Sequence, residues 1–519
     1  MESHGGAVGG TEESLVLSEV KKQLRLATPL AVGCLLQKII LTISLMFIGR
    51  FGELALASAS LATSFATVTG FSVLRGMAFS LDTLCGQAFG AEQHHLLGVY
   101  KQRAMLALTL VSIPVSVIWA YTGEILVLLF RQDPEIAAGA GNYIRFMIPA
   151  LFLYGLLECH ARFLQTQNVV VPVMLNCAAT AVVHVAACWL LVFKLGMGAN
   201  GAALGNAVSH LFNLCFLALY VRLSPACKAT WTGFSRDAVR GIPEARRAVR
   251  SHALRAIYIY FDGCSIEWWA FELLVLLSGL LPNPKLETAV QSICFNIYAF
   301  AYMIPLGLSY AASIRVSNEL GAGRPQAARL ATRVVILLAI SLGVSEGLVM
   351  VLVRNVLGYV YSNEREVALY TAKMMPILAA STLFDSIQSV LSGVVRGCGR
   401  QKGGAIINLA AYYFAGIPAA SVFAFVCHLR GMGLWFGILC GLVVQVMLLL
   451  SITLFTNWNE EALKANDRVS SSSQPVELTT SGCTKQANGC CSVGKDAQGT
   501  NGAKKVSIDP EEKADGNAK

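Results

Sequence analysis

Charged side chains are scarce in this chain. Asp, Glu, Lys and Arg make up 14% of its 519 residues, where a soluble domain carries about 25%. Hydrophobic residues reach 55% and mean hydropathy is +0.58. That balance excludes a soluble globular protein and predicts a chain that threads a bilayer many times. The net charge of +9 does not signal nucleic acid, because Lys and Arg cluster in short loops between apolar runs, as loops on the cytoplasmic side do. The HExxH, P-loop and GxSxG motifs are all missing, which argues against an enzyme and a self-contained ATP-driven pump. The 15 cysteines include no CxxC pair, disulfide framework or zinc spacing. Most, such as Cys34, Cys177, Cys188, Cys215 and Cys440, fall inside apolar runs as small packing residues. No metal and no cofactor is expected. Residues 1–18 lack the short apolar core and cleavage site of a secretory signal, so no cleavable signal is expected there.

What is present is a succession of runs long enough to cross a hydrocarbon core, which takes about 20 helical residues. Six spans are predicted at about 26–48, 54–89, 104–121, 136–164, 170–193 and 202–221. Six more follow at about 257–281, 290–314, 331–353, 367–396, 404–427 and 434–456. The prediction is an all-α membrane protein with a cytoplasmic N-terminal segment (1–25) and an N-lobe (26–222). A basic cytoplasmic linker (223–256), a C-lobe (257–458) and a disordered cytoplasmic tail (459–519) complete it. Pro29 reads as a residue of the first helical turn, with Thr28 as cap.

Carboxylates inside these spans single themselves out. An acid in mid-membrane costs roughly 2.5 to 3.5 kcal/mol on insertion scales, so it faces a protein interior or a wet cavity. Ile266-Glu267-Trp268-Trp269-Ala270-Phe271-Glu272 places two of them in the seventh span. Five residues apart, they stand about 140° apart around an ideal helix, so both cannot point into one cavity unless the helix bends. Glu158 and Arg162 are four apart in the fourth span and read as an intrahelical ion pair.

The two halves also resemble each other. Gln87-Ala88-Phe89-Gly90-Ala91 matches Asn318-Glu319-Leu320-Gly321-Ala322, Tyr143 and Pro149 match Tyr370 and Pro376, and Asn176 matches Asn408. With Gly196-Met197-Gly198 matching Gly431-Met432-Gly433, the offset stays between 227 and 235, which marks an internal repeat. Six spans per repeat let both halves start from the same side. This is a parallel repeat about an axis along the membrane normal, with a site between the lobes. The same offset pairs Asp385 with Glu158. Asp385 has no basic residue three or four positions away, which makes it the better candidate for a protonatable site. Candidates for a cavity surface are Trp268, Trp269, Asn296, Tyr298, Tyr302 and Gln37, the aromatic faces being suited to cations.

The segments Leu81–Ala91, Ile266–Glu272, Val316–Pro325 and Val395–Gly399 together resemble the multidrug and toxic compound extrusion (MATE) family. The loop Leu281–Thr288 is similar to its plant detoxification branch. The resemblance spans about residues 19–458. It implies two six-helix lobes, no enzymatic activity, and export of organic cations, xenobiotics or secondary metabolites in exchange for protons. The implied setting is a monomer in the plasma or vacuolar membrane, with both termini cytoplasmic. It also implies that Glu267, Glu272 and Asp385 couple proton and cation. Residues 245–265 depart from the family pattern, being longer and basic, and read as an altered exon boundary. The alternatives are a flippase for lipid-linked substrates, which would want cationic cavity walls, and a non-functional splice or gene-model variant.

Overall fold

In lipid every backbone N–H and C=O must be satisfied within the segment, so long apolar runs become helices. The computed structural model describes residues 5–235, 263–362 and 364–473, a few of them by backbone alone. Among the described residues no strand occurs. The helices, in chain order, are α1 (Gly5–Ile48), α2 (Glu53–Gly90), α3 (His94–Ala120), the short α4 (Thr122–Phe130), α5 (Pro134–Thr166), α6 (Val171–Lys194) and α7 (Gly198–Leu223). After the linker come α8 (Gly263–Ser278), α9 (Pro284–Gly321), α10 (Pro325–Leu352), the short α11 (Arg354–Tyr361), α12 (Arg365–Gly397), α13 (Gln401–Val426), α14 (Arg430–Leu454) and α15 (Trp458–Ser473).

Eleven of these helices are long and apolar enough to span. The twelfth span is α8, whose 16 described residues cover about 24 Å at 1.5 Å per residue. The repeat is visible in the lengths. Spans α2, α3, α5, α6 and α7 measure 38, 27, 33, 24 and 26 residues, and α9, α10, α12, α13 and α14 measure 38, 28, 33, 26 and 25. The short helices α4 and α11 follow the third span of each half. At the turn before α5, Arg131 takes a left-handed conformation (φ 51°) and the Asp133 carboxylate accepts from the N–H of Glu135 at 2.9 Å.

The two lobes meet at the end that carries the basic loops, and the duplicated motif meets itself there. A Cβ on Gly90 would strike the Asn318 carbonyl, and one on Gly321 would strike that of Gln87. Only glycine lets these backbones approach so closely. The side chains repeat the symmetry: Gln87 donates to the Gly397 carbonyl (3.2 Å) and Asn318 to that of Thr166 (3.2 Å). These reciprocal contacts put the pseudo-two-fold axis between α2 and α9.

Three expectations change. Pro29 lies inside α1 rather than in its first turn, because the polar stretch before it is also helical. Buried Glu19 there accepts from Arg315 at 3.0 and 2.9 Å. The third span begins ten residues before its apolar part, at His94. The tail does not lose order at 459. α15 buries Trp458, Ala462, Ala465 and Val469 on one face and pairs Glu461 with Arg400 at 2.7 Å, and its Arg468 donates to Gln87 at 2.9 Å. An apolar residue every third or fourth position was enough for a docked helix, though the segment is polar overall. Residues 474–519, and all of the anomalous stretch 245–265 except its last three residues, lie outside the described residues.

Candidate functional site

Asp385 sits in the middle of α12 and is 2% exposed. Its two oxygens have separate neutral donors: the Tyr298 hydroxyl of α9 at 2.6 Å and the Gln388 amide at 2.6 Å. The same Gln388 nitrogen donates to Glu267 of α8 at 3.1 Å. One amide therefore bridges two buried carboxylates from two helices. The Gln388 oxygen in turn accepts from Gln445 of α14 at 3.0 Å, and Gln445 donates to Asn408 of α13 at 2.8 Å. Among the described residues no ion pair involves Asp385. A further acid, Glu346 of α10, feels the charge of Asp385, and both Glu346 oxygens are buried without a hydrogen-bond partner among the described residues. Glu267, Gln388, Ser392, Asn408 and Tyr302 line one pocket in the C-lobe.

The helical spacing separates the two acids of α8 as expected. Glu267 turns into the C-lobe, while Glu272 turns to the N-lobe, where it hydrogen-bonds Ser64 of α2 and faces Lys38 of α1. Trp269 shares that side, its indole N–H donating to the Val68 carbonyl at 3.3 Å. The Trp268 side chain is outside the described residues. Tyr298 is not an open aromatic face: its ring packs between Phe271 (5.2 Å) and Trp435 (5.3 Å), leaving its hydroxyl as the working part. Asn296 is exposed and donates to the Ser292 carbonyl. Gln37 lies in a second pocket, in the N-lobe, with its amide 3.9 Å from the Cys177 sulfur.

That second pocket is built around Glu158. Arg162 approaches it at 3.3 Å, one turn along α5, and Arg75 of α2 at 3.6 Å. Arg162 also faces Asp82 at 3.6 Å and lies over the rings of Tyr310 and Phe79 at 4.2 and 4.6 Å. Two arginines thus compensate two acids in the N-lobe, where the mate Asp385 has only neutral donors.

This duplicated architecture has known counterparts. A family model described as MatE matches residues 29–190 and again 263–422. The chain belongs to the MATE family. Protein DETOXIFICATION 16 of Arabidopsis thaliana is 55% identical over 89% of this chain and 93% of its own length, and Protein DETOXIFICATION 15 of the same plant is 50% identical over the same shares. The crystal structure of the eukaryotic MATE transporter AtDTX14 superposes with a TM-score of 0.81, at 42% identity, over 88% of this chain and all of that one. A Vibrio cholerae MATE transporter, VcmN, shares the fold with a TM-score of 0.72 at 16% identity. The chain is therefore a multi-pass MATE transporter of two six-helix lobes, akin to plant detoxification proteins, and not an enzyme.

Within this MATE chain, sequence reasoning missed Gln388, Lys38 and Glu346. Lys38 and Glu346 carried a signal, since any ionisable residue inside a span is a functional candidate. Gln388 carried only its spacing, three residues beyond Asp385 and so on the same side of the helix.

Proposed function

We propose that this MATE transporter exports organic cations, xenobiotics or secondary metabolites from the cytosol by proton antiport, and that the proton acts at Asp385 and Glu267. The observation that carries this reading is the Gln388 amide shared between the two carboxylates, beside a Tyr298 hydroxyl and, among the described residues, with no cation paired to Asp385. A carboxylate fixed by neutral donors changes the net charge of its pocket when it takes a proton. In the ionised state the two bridged carboxylates attract a cation strongly, because they lie in a medium of low dielectric constant. Protonation removes that attraction, so proton and cation compete, and an acidic compartment releases the cargo. The basic loops at the lobe junction would face the cytosol, with acid on the other side. Both the plasma and the vacuolar membrane meet that requirement.

The test is uptake of a fluorescent organic cation into proteoliposomes with an acidic lumen. Wild type should accumulate it only with the gradient, and Asp385→Asn or Glu267→Gln should abolish accumulation at unchanged protein level. Gradient-independent uptake by wild type, or full activity of both variants, would overturn the reading.

A further inference from the structure

Behind α8, on the side away from Asp385, the lobes enclose a second charged place. Lys38 lies within α1, near the middle of its apolar span (about 26–48), with Leu35, Leu36, Ile39 and Ile40 close by in sequence. An ammonium at such a depth is costly and faces protein or a wet cavity. Among the described residues Lys38 has no ion pair within 4 Å and donates no hydrogen bond. Its neighbours are an aromatic face and an acid. The ammonium stands 5.7 Å from the centroid of Phe300 on α9 and feels the charge of Glu272 on α8. Glu272 is itself hydrogen-bonded to Ser64 of α2. Asn296 lies one turn from Phe300 on the same face of α9 and is exposed. Lys38, Glu272, Ser64 and Phe300 are all half-buried, so none of them is sealed in a packed core.

A structural counter-ion would close onto its acid; here the two charges form no ion pair within 4.0 Å, and an aromatic ring stands beside the ammonium. We propose that Lys38 anchors an anionic oxygen group of the transported molecule, so that the cargo includes amphipathic compounds bearing a carboxylate. The carboxylate meets the ammonium, the apolar body lies against Phe300, and Glu272 and Asn296 take the donor groups at the other end. The proposal rests on the transport reading above for its site but not on proton coupling. It makes Lys38 a specificity-determining residue, since a cation lacking the carboxylate gains nothing from it.

A matched pair of dyes tests it: tetramethylrhodamine, which carries a free carboxylate, and its methyl ester, which is a plain cation. Uptake into proteoliposomes is measured for both, with the membrane potential clamped by potassium and valinomycin. Lys38→Gln should reduce transport of the acid about tenfold or more, the worth of one charge-assisted hydrogen bond, and change the ester by less than about twofold. Lys38→Arg should restore the acid. Equal losses for both dyes would make Lys38 a structural counter-ion of Glu272 and overturn the proposal, as would unchanged transport of both. A parallel arm needs no gradient. In detergent, the acid should raise the melting temperature of wild type and of Lys38→Arg but not of Lys38→Gln. If the ester ignores the pH gradient while this shift persists, proton antiport fails and the anchor stands. If the shift is absent or survives Lys38→Gln, the anchor fails.

Discussion

The N-lobe and C-lobe pockets are two versions of one design, and they differ in what surrounds the acid. Each is built from the same spans of its repeat, with a carboxylate at the same place on the fourth span: Glu158 lines the N-lobe pocket, and Asp385 is tied to the C-lobe pocket through Gln388. Each also has an amide pair between the last two spans: Asn176 donates to Asn213 in the N-lobe, and Gln445 to Asn408 in the C-lobe. In the N-lobe the neighbours are Gln37, Ala161 and the guanidiniums of Arg75 and Arg162. In the C-lobe the positions corresponding to Gln37 and Ala161 hold Glu267 and Gln388, and the Arg396 that also lines this pocket donates to Ser309. Duplication preserved the framework, and the surrounding side chains made one acid part of a charge-balanced brace and left the other as a group whose proton alters the pocket's charge.

The sharpest way to break this comparison is to neutralise each acid in turn. Glu158→Gln removes the acid that Arg75 and Arg162 share and leaves Asp82 as the acid beside Arg162. Removing one partner of a buried pair costs about 3 to 5 kcal/mol, so this variant should show a clear fall in melting temperature in detergent. Asp385→Asn keeps an acceptor for Tyr298 and strands no cation. Its stability should change by about 1 kcal/mol or less, while its gradient-driven transport is lost. Equal destabilisation by both substitutions would show that the two acids serve the same structural role.

Next in size is Gln388→Leu. The substitution removes the donor that both carboxylates share and leaves the Gln445 amide without its Gln388 acceptor. Leaving buried polar groups unsatisfied costs about 1 to 3 kcal/mol. Transport should become less dependent on lumen pH, because two acids without their common donor no longer act as a unit. Retention of wild-type pH dependence would sink the bridge. Gln388→Glu is the sharper arm: it adds a third acid to the pocket and should shift the pH profile rather than flatten it.

Much of this was legible in the sequence, for reasons that separate cleanly. The spans follow from hydropathy alone, because lipid leaves the backbone no option but helix. The pairing of Asp385 with Glu158 follows from a nearly constant repeat offset, and the divergence of Glu267 from Glu272 follows from helical geometry. Gln388 was hidden because an amide has no charge penalty to advertise it, and its role depends on α8 and α12 lying side by side. Tyr298 was misjudged because a ring's exposure is set by Phe271 and Trp435, one residue on another helix of the lobe and one far along the chain. α15 was hidden by its polar composition: four apolar positions suffice only because the lobes offer a surface for them. The docking of Gln87–Ala91 against Asn318–Ala322 was written in the repeat itself, since residues close to a two-fold axis meet their own mates.

The smallest expected effect concerns how the N-lobe charge is shared. Arg162 is buried and contacts both Glu158 and Asp82, whereas Arg75 is about a third exposed and stands 3.6 Å from Glu158, with its Nε 2.7 Å from the Tyr154 hydroxyl. A partly solvated guanidinium contributes little, about 1 kcal/mol or less. Arg75→Gln, which can still donate to Tyr154, should therefore leave the melting temperature nearly unchanged, and Arg162→Gln should lower it as Glu158→Gln does. The double variant Arg75→Gln/Glu158→Gln sharpens the point. If Arg75 is the minor partner, its loss should recover little of the damage done at Glu158, because the buried Arg162 still lacks one of its two acids. Near-complete recovery would instead make Arg75 the principal partner, and would move the brace from within α5 to the contact between α2 and α5.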